Sequence, residues 1–213
     1  MKKYRKFKII LITILLLISI LIAILVNKND ILRIDKIAYS IIVEKLRTPS
    51  LTKFMKLITK LSNPIFIITL YLILSIIIFL KNKKLGIIFP LNLVIVTLLN
   101  QTLKYIVRRQ RPSGYRLIDI SGYSFPSGHA MIILATYGLL LYIVSKIIKT
   151  KPIKIIISAL LITIILLIGI SRIYLGVHYL SDVLVGYILS TIYLLTITEL
   201  IDIEELKKSQ NIP

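Results

Sequence analysis

Long apolar runs alternate with short basic segments along this chain. Six runs approach the ~20 residues that a helix needs to cross a bilayer core. They are Lys8–Val26, Pro64–Leu80, Leu85–Leu103, Ala130–Ile147, Ile155–Ser171 and Tyr179–Ile201. Their abundant isoleucine would favour strands in water. In lipid an unpaired backbone is too costly, so helices win. The pattern therefore predicts an all-α fold: a polytopic membrane helix bundle with six transmembrane helices. It reads as one membrane-embedded domain over 1–213. Residues 1–103 carry three spans, 104–182 hold most of the unusual polar groups, and 183–213 finish the last span and form a tail.

The segment Asn27–Asn63 is amphipathic instead. Leu51, Phe54, Ile58 and Leu61 recur at helical spacing, with Lys53, Lys56 and Lys60 between them, and Ser50 after Pro49 offers an N-cap. A helical segment lying on the outer leaflet is the expectation. The first run follows a basic "MKKYRKFK", as in a signal peptide. It is longer than the usual signal core, and "LVNKND" offers no small-residue cleavage site, so it reads as an uncleaved anchor.

Composition agrees with a membrane protein. Of 213 residues 57% are hydrophobic, more than a water-soluble domain of this size covers. The formal net charge of +19 would suggest nucleic acid in a soluble protein. Here the basic residues sit between apolar runs, which fits membrane topology and anionic lipid, with no nucleic-acid partner. There is no cysteine and there are only two histidines, so neither a thiolate zinc site nor a histidine-rich metal site is indicated. The basic N-terminus, "KNKK" at Lys81–Lys84, and Lys146, Lys149, Lys151 and Lys154 all fall on one side of a six-span bundle. That side is expected to be cytoplasmic, together with both termini.

Lys104, Arg108, Arg109, Arg111 and Arg116 then lie on the other side, where topology does not favour them. Taken alone they would make a solvated basic loop. Two neighbouring segments change that reading. "PSGH" (Pro126–His129) opens the fourth run, and "SRIYLGVHYLSD" (Ser171–Asp182) joins the fifth to the sixth. Three outer helix ends thus carry phosphate-compatible groups. Lys104 and Arg111 supply positive charge, and arginine binds phosphate bidentately. Ser127 and Gly128 stand at a helix N-terminus, where amides and the helix dipole attract anions. Ser127 alone would be an ordinary N-cap. His178 and Asp182 are four apart and share a helix face. Asp182 can hold His178 by Nδ1–H and leave Nε2 free as a nucleophile, although such a pair can also be structural. Arg172 stands beside them, and His129 is the spare group able to protonate a leaving oxygen. Tyr115, Tyr123, Phe125, Tyr174 and Tyr179 read as an interfacial aromatic belt.

"KYIVRRQRP" (Lys104–Pro112), "PSGH" and "SRIYLGVHYLSD" resemble, in order and spacing, the three signature motifs of the type 2 phosphatidic acid phosphatase superfamily. The likeness is greatest to its short six-span bacterial members, of the phosphatidylglycerophosphatase B and undecaprenyl diphosphate phosphatase type. The resemblance implies that His178 attacks phosphorus and forms a phosphohistidine. It implies that Asp182 orients His178, and that His129 acts as general acid and then helps activate water. Lys104, Arg111, Arg172, Ser127 and the Gly128 backbone would hold the phosphoryl oxygens. No metal and no cofactor are implied, since cationic side chains take that place. Arg108 and Arg109 fall at variable motif positions and receive no role. The implied partner is a membrane lipid: undecaprenyl diphosphate, phosphatidylglycerophosphate or phosphatidic acid. The site is expected on the extracytoplasmic face of the cell membrane. Phosphoryl transfer to another lipid, or lipid binding and translocation without catalysis, are the rival readings, and the oligomeric state is open.

Overall fold

The structure, a computed structural model, describes Lys2 to Gln210. The expected tail beyond 210 lies outside the described residues. Every regular element among them is helical: α1 (Lys2–Asn29), α2 (Arg33–Tyr39) running into a π-helical turn (Ser40–Lys45), α3 (Pro49–Lys60), α4 (Pro64–Lys81), α5 (Lys83–Val107), α6 (Gly128–Ile147), α7 (Lys151–Tyr174) and α8 (Leu180–Gln210). Helices α1, α5, α6, α7 and α8 are each long and apolar enough to cross a bilayer. The pair α3 and α4, bent by 45° at its break, supplies a sixth crossing if counted as one span.

Local chemistry sets the boundaries. Asn63 accepts from the Ile65 amide and precedes Pro64, so α4 starts there. Asn82 caps α5 through the Leu85 amide at 3.1 Å. At the far end of α5, Arg108 takes a left-handed conformation (φ 53°), which stops the helix and turns the chain.

Helix α6 is the centre. In its most apolar window 56% of residues are buried, against 11% for α1. It packs against α5, α7 and α8, while α4 lies on α5 and α1 on α8. Ile67 and Tyr71 of α4, Phe89 of α5 and Ile133 and Tyr137 of α6 share one buried cluster. Inside it Asn92 donates to the Tyr71 hydroxyl at 2.7 Å and to the Ala135 carbonyl at 3.3 Å. Polar side chains bind helices to one another this way where burial alone gives little driving force. The outer faces are apolar: Leu17, Leu72, Leu98 and Ile156 are all exposed, as lipid-facing residues must be.

Segment Asn27–Asn63 departs from expectation. Its apolar face meets protein as well as the surface. Met55 is buried against Tyr174, Leu175 and Val177, and Ile58 and Leu61 pack on the main core, while Phe54 stays exposed. Helix α3 thus covers the C-terminal end of α7.

Gly86 marks the tightest contact between α4 and α5. A Cβ there would lie 2.5 Å from the Phe79 backbone, which cannot yield without moving α4. Gly86→Leu should cost about 1–3 kcal/mol by overpacking. Lipid-facing Ile156→Ala should stay within roughly 0.5 kcal/mol. Thermal unfolding followed by circular dichroism in detergent compares the two.

Candidate active site

The turn between α7 and α8 places the central groups. The Arg172 carbonyl accepts the amides of both Val177 (3.2 Å) and His178 (3.3 Å), so one carbonyl fixes the cation and the histidine together. Gly176 makes this turn possible. Its φ is +73°, and a Cβ there would lie 2.6 Å from the Tyr115 carbonyl. The Ser127 amide donates to the Asp182 carbonyl at 3.0 Å, joining the N-terminus of α6 to that of α8.

His178 and Asp182 are both buried. Nδ1 of His178 lies 3.3 Å from Asp182 Oδ2, and Nε2 lies 3.0 Å from Arg111 Nη1. One tautomer satisfies both contacts: Nδ1–H donates to the carboxylate, and Nε2 accepts from the guanidinium. Burial pushes the His178 imidazole far below its ordinary value. Asp182 opposes that shift, and Arg111 and Arg172 add to it. At neutral pH the ring is uncharged and Nε2 keeps its lone pair. Asp182 is fully satisfied: Oδ2 also accepts from Ser124 Oγ and from the Tyr179 amide at 2.9 Å, and Oδ1 accepts from Arg109 at 2.6 Å.

Arg172 is 1% exposed, yet two of its nitrogens are idle. Nη1 donates to Thr59 Oγ1 at 2.6 Å, while Nε and Nη2 are buried without a hydrogen-bond partner. Such donors are costly to leave unmade, and as charged donors they suit an anionic acceptor. Arg111 donates to the carbonyls of Gly122 (2.9 Å) and Val177 (2.9 Å). Burial lowers its affinity for its proton, and Asp182 offsets part of this. Lys104 Nζ donates to the carbonyls of Tyr123 and Ser124.

Lys104, Arg111, Gly128, His129 and His178 line one end of a cavity of about 680 Å³. The rest of its wall is mostly apolar, from Ile67 and Tyr71 on α4 to Pro90 and Leu93 on α5. Ser127 is buried with its hydroxyl 3.5 Å from the Ala130 amide, in the capping position of α6. Among the described residues no group of three or more His, Cys, Asp or Glu gathers as metal ligands do.

The three sequence segments therefore meet. Tyr115 is exposed, but the belt expectation fails for Phe125 and Tyr174, which are 2% and 1% exposed. Tyr174 lies under α3, with its hydroxyl 2.9 Å from Thr52 Oγ1, so it joins elements and does not anchor to headgroups. Sequence reasoning also missed Arg109, Asp35, Ser124 and Thr59. One signal was available. With 9 acidic residues against 28 basic ones, an acid such as Asp35 between two spans invites the search for a buried cation.

The chain is similar to known proteins in sequence and in fold. The family model described as the PAP2 superfamily matches residues 85–204. Phosphatidylglycerophosphatase B of Bacillus subtilis (strain 168) is 34% identical over 178 residues, covering 81% of this chain and 86% of that one. An undecaprenyl-diphosphatase of Sulfolobus acidocaldarius is 33% identical over 120 residues, 54% of each chain. The crystal structure of a transmembrane PAP2 type phosphatidylglycerolphosphate phosphatase from Bacillus subtilis superposes with a TM-score of 0.81 at 30% identity, over 91% of this chain and 96% of that one. That of Aquifex aeolicus LpxE gives 0.60 at 27%, over 75% and 90%. With its three motifs drawn to one end of a matching helix bundle, this chain belongs to the PAP2 superfamily.

Proposed function

We propose that this membrane lipid phosphatase removes the terminal phosphate from a lipid phosphate or prenyl diphosphate through a phosphohistidine at His178. The observation that carries the reading is the join of two unlike halves in one cavity. At one end stand a neutral His178, Lys104 and Arg111, and Arg172, close enough to act on both histidines, holds two idle donors. From Lys104 to Pro90 along α5 the wall continues for about 21 Å at 1.5 Å per residue, deep into the hydrocarbon. A small soluble phosphate ester would have no use for that length. An acyl or prenyl chain fills it.

The chemistry follows from the contacts. Arg111 occupies Nε2 of His178. A phosphoryl oxygen is the stronger, charge-assisted acceptor, so bound substrate draws the guanidinium off and frees the lone pair. Nε2 then attacks phosphorus, and the bond from phosphorus to the leaving oxygen breaks. Lys104, Arg111, Arg172 and the first amides of α6, kept open by Gly128 and capped by Ser127, stabilise the charge on the phosphoryl oxygens. His129 gives its proton to the leaving oxygen. Water next attacks the phosphohistidine, and His129 takes the water's proton. Inorganic phosphate leaves and His178 is restored. Asp182 holds Nδ1–H throughout.

The names of the relatives support two substrates for comparison, phosphatidylglycerophosphate and undecaprenyl diphosphate, and the motif resemblance adds phosphatidic acid. Phosphate release from each by purified protein, with acid-labile phosphoenzyme trapped on His178, tests the function. Release of none, or a phosphoenzyme that survives in His178→Ala, would sink it. His178→Ala should abolish turnover of every substrate. His129→Ala should cost about 10²–10⁴-fold for a lipid alkoxide leaving group, less for a lipid monophosphate and least for nitrophenolate. Equal losses would make His129 a binding residue only.

Activity should persist in chelator and fall with vanadate, which takes the place of pentacoordinate phosphorus among these cations. Loss in chelator that a divalent ion restores contradicts this. The alternation of lysine-rich turns with motif-bearing ends supports a site on the extracytoplasmic face with both termini inside. A cysteine placed at Tyr115 should react with an impermeant reagent in intact cells, and one at Asn82 should not. The reverse pattern inverts the topology.

A further inference from the structure

Arg109 stands at the centre of a buried cluster that never touches the cavity. Its side chain is 1% exposed. Nη1 donates to Asp182 Oδ1 at 2.6 Å and to Ser181 Oγ at 2.7 Å. Nη2 donates to Asp35 Oδ2 at 2.7 Å, and Nε donates to the Asp30 carbonyl at 3.0 Å. The guanidinium lies 4.0 Å over the Tyr179 ring. Asp35, also buried, accepts from the Ser181 amide at 2.8 Å and from the Leu32 amide at 3.2 Å. Two carboxylates from distant parts of the chain thus share one guanidinium.

A buried ionic triad contributes little net stability, because desolvation offsets the attraction. Its value lies in geometry. Asp182 Oδ2 receives Ser124, the Tyr179 amide and His178, and the His178 contact is the longest, at 3.3 Å. That contact is the first to fail if the carboxylate rotates. A donor on Oδ1 holds the second oxygen against that rotation, and Arg109 is that donor. Asp35 and the Asp30 carbonyl in turn hold the guanidinium in plane.

We infer that Arg109, braced by Asp35, is a positioning residue for phosphoryl transfer: it pins the Asp182 carboxylate so that Oδ2 faces His178, and it ties the connector between the first two spans to the nucleophile. The inference rests on the reading of His178 as nucleophile. Arg109 acts through Asp182 and makes no contact with substrate, so its removal lowers kcat and spares KM.

The test uses the full chain in nanodiscs with nitrophenyl phosphate, whose good leaving group keeps weak variants measurable. The variants are Arg109→Met, Asp35→Asn, Asp182→Asn, and Arg109→Met combined with Asp182→Asn. Arg109→Met should lower kcat by about 10–10²-fold with KM within about threefold, and Asp35→Asn should do so to a smaller degree. In the Asp182→Asn background Arg109→Met should cost nothing further, since the carboxylate it pins is gone. Where Arg109→Met is not recovered folded, Arg109→Lys takes its place, keeping the charge but losing the fork. Wild-type kcat in the folded variant overturns the inference. So does a loss expressed as raised KM, or one that multiplies with that of Asp182→Asn. A His178→Ala protein that still turns over overturns the underlying reading instead. A dead His178→Ala beside an unaffected Arg109 variant overturns this inference alone.

Discussion

Arg172 carries a positive charge at the buried end of α7, with one side-chain hydrogen bond to Thr59 and two donors left over. A charge in that position is tolerated only when its surroundings are arranged for it. Helix α3 crosses the end of α7 and brings Thr59 to it. The turn after α7 folds back onto the Arg172 carbonyl and sets His178 beside it. The start of α6 is bonded to the start of α8, so the amide-rich end of one helix and the carboxylate of the other face the same space. The two spare donors suit a phosphate anion. Removing the need for that anion would remove the reason for most of these contacts.

The bundle beneath serves this end. Asn92 and Tyr71 lock α4, α5 and α6 at mid-depth, and Gly86 brings α4 onto α5. The motif-bearing end is irregular, but it is tethered throughout: Arg111 and Arg116 bind carbonyls of their own loop, and the Leu117 amide reaches the Leu175 carbonyl. Positioning a reactive group on loops demands such tethers, since helices alone do not hold side chains there.

The spans were legible because lipid leaves the backbone one choice, and apolar length reports it directly. Lys104, Arg111, His129, Arg172, His178 and Asp182 were legible because each is expensive at a helix end unless it has work to do. The connector was not. An amphipathic pattern such as Leu51, Ile58 and Leu61 states that one face is apolar but not whether lipid or protein covers it. Arg108 and Arg109 are chemically identical neighbours. The left-handed turn at Arg108 sends one side chain outward and the other inward, and no residue type announces it. Phe125 and Tyr174 look like interfacial aromatics by composition and are core by position.

The cavity is not sealed along its length. Ile68 and Leu72 of α4 and Val94 and Leu98 of α5 line it, yet they are also exposed on the lipid side of the bundle. The groove is therefore a slot opening sideways between two helices. A substrate entering through such a slot never partitions into water. Encounter becomes a search in two dimensions, and the relevant concentration is the mole fraction of the phosphorylated lipid among its neighbours. Diluting the membrane with inert lipid would slow the enzyme at a fixed bulk amount of substrate, and product would return to the leaflet from which it came.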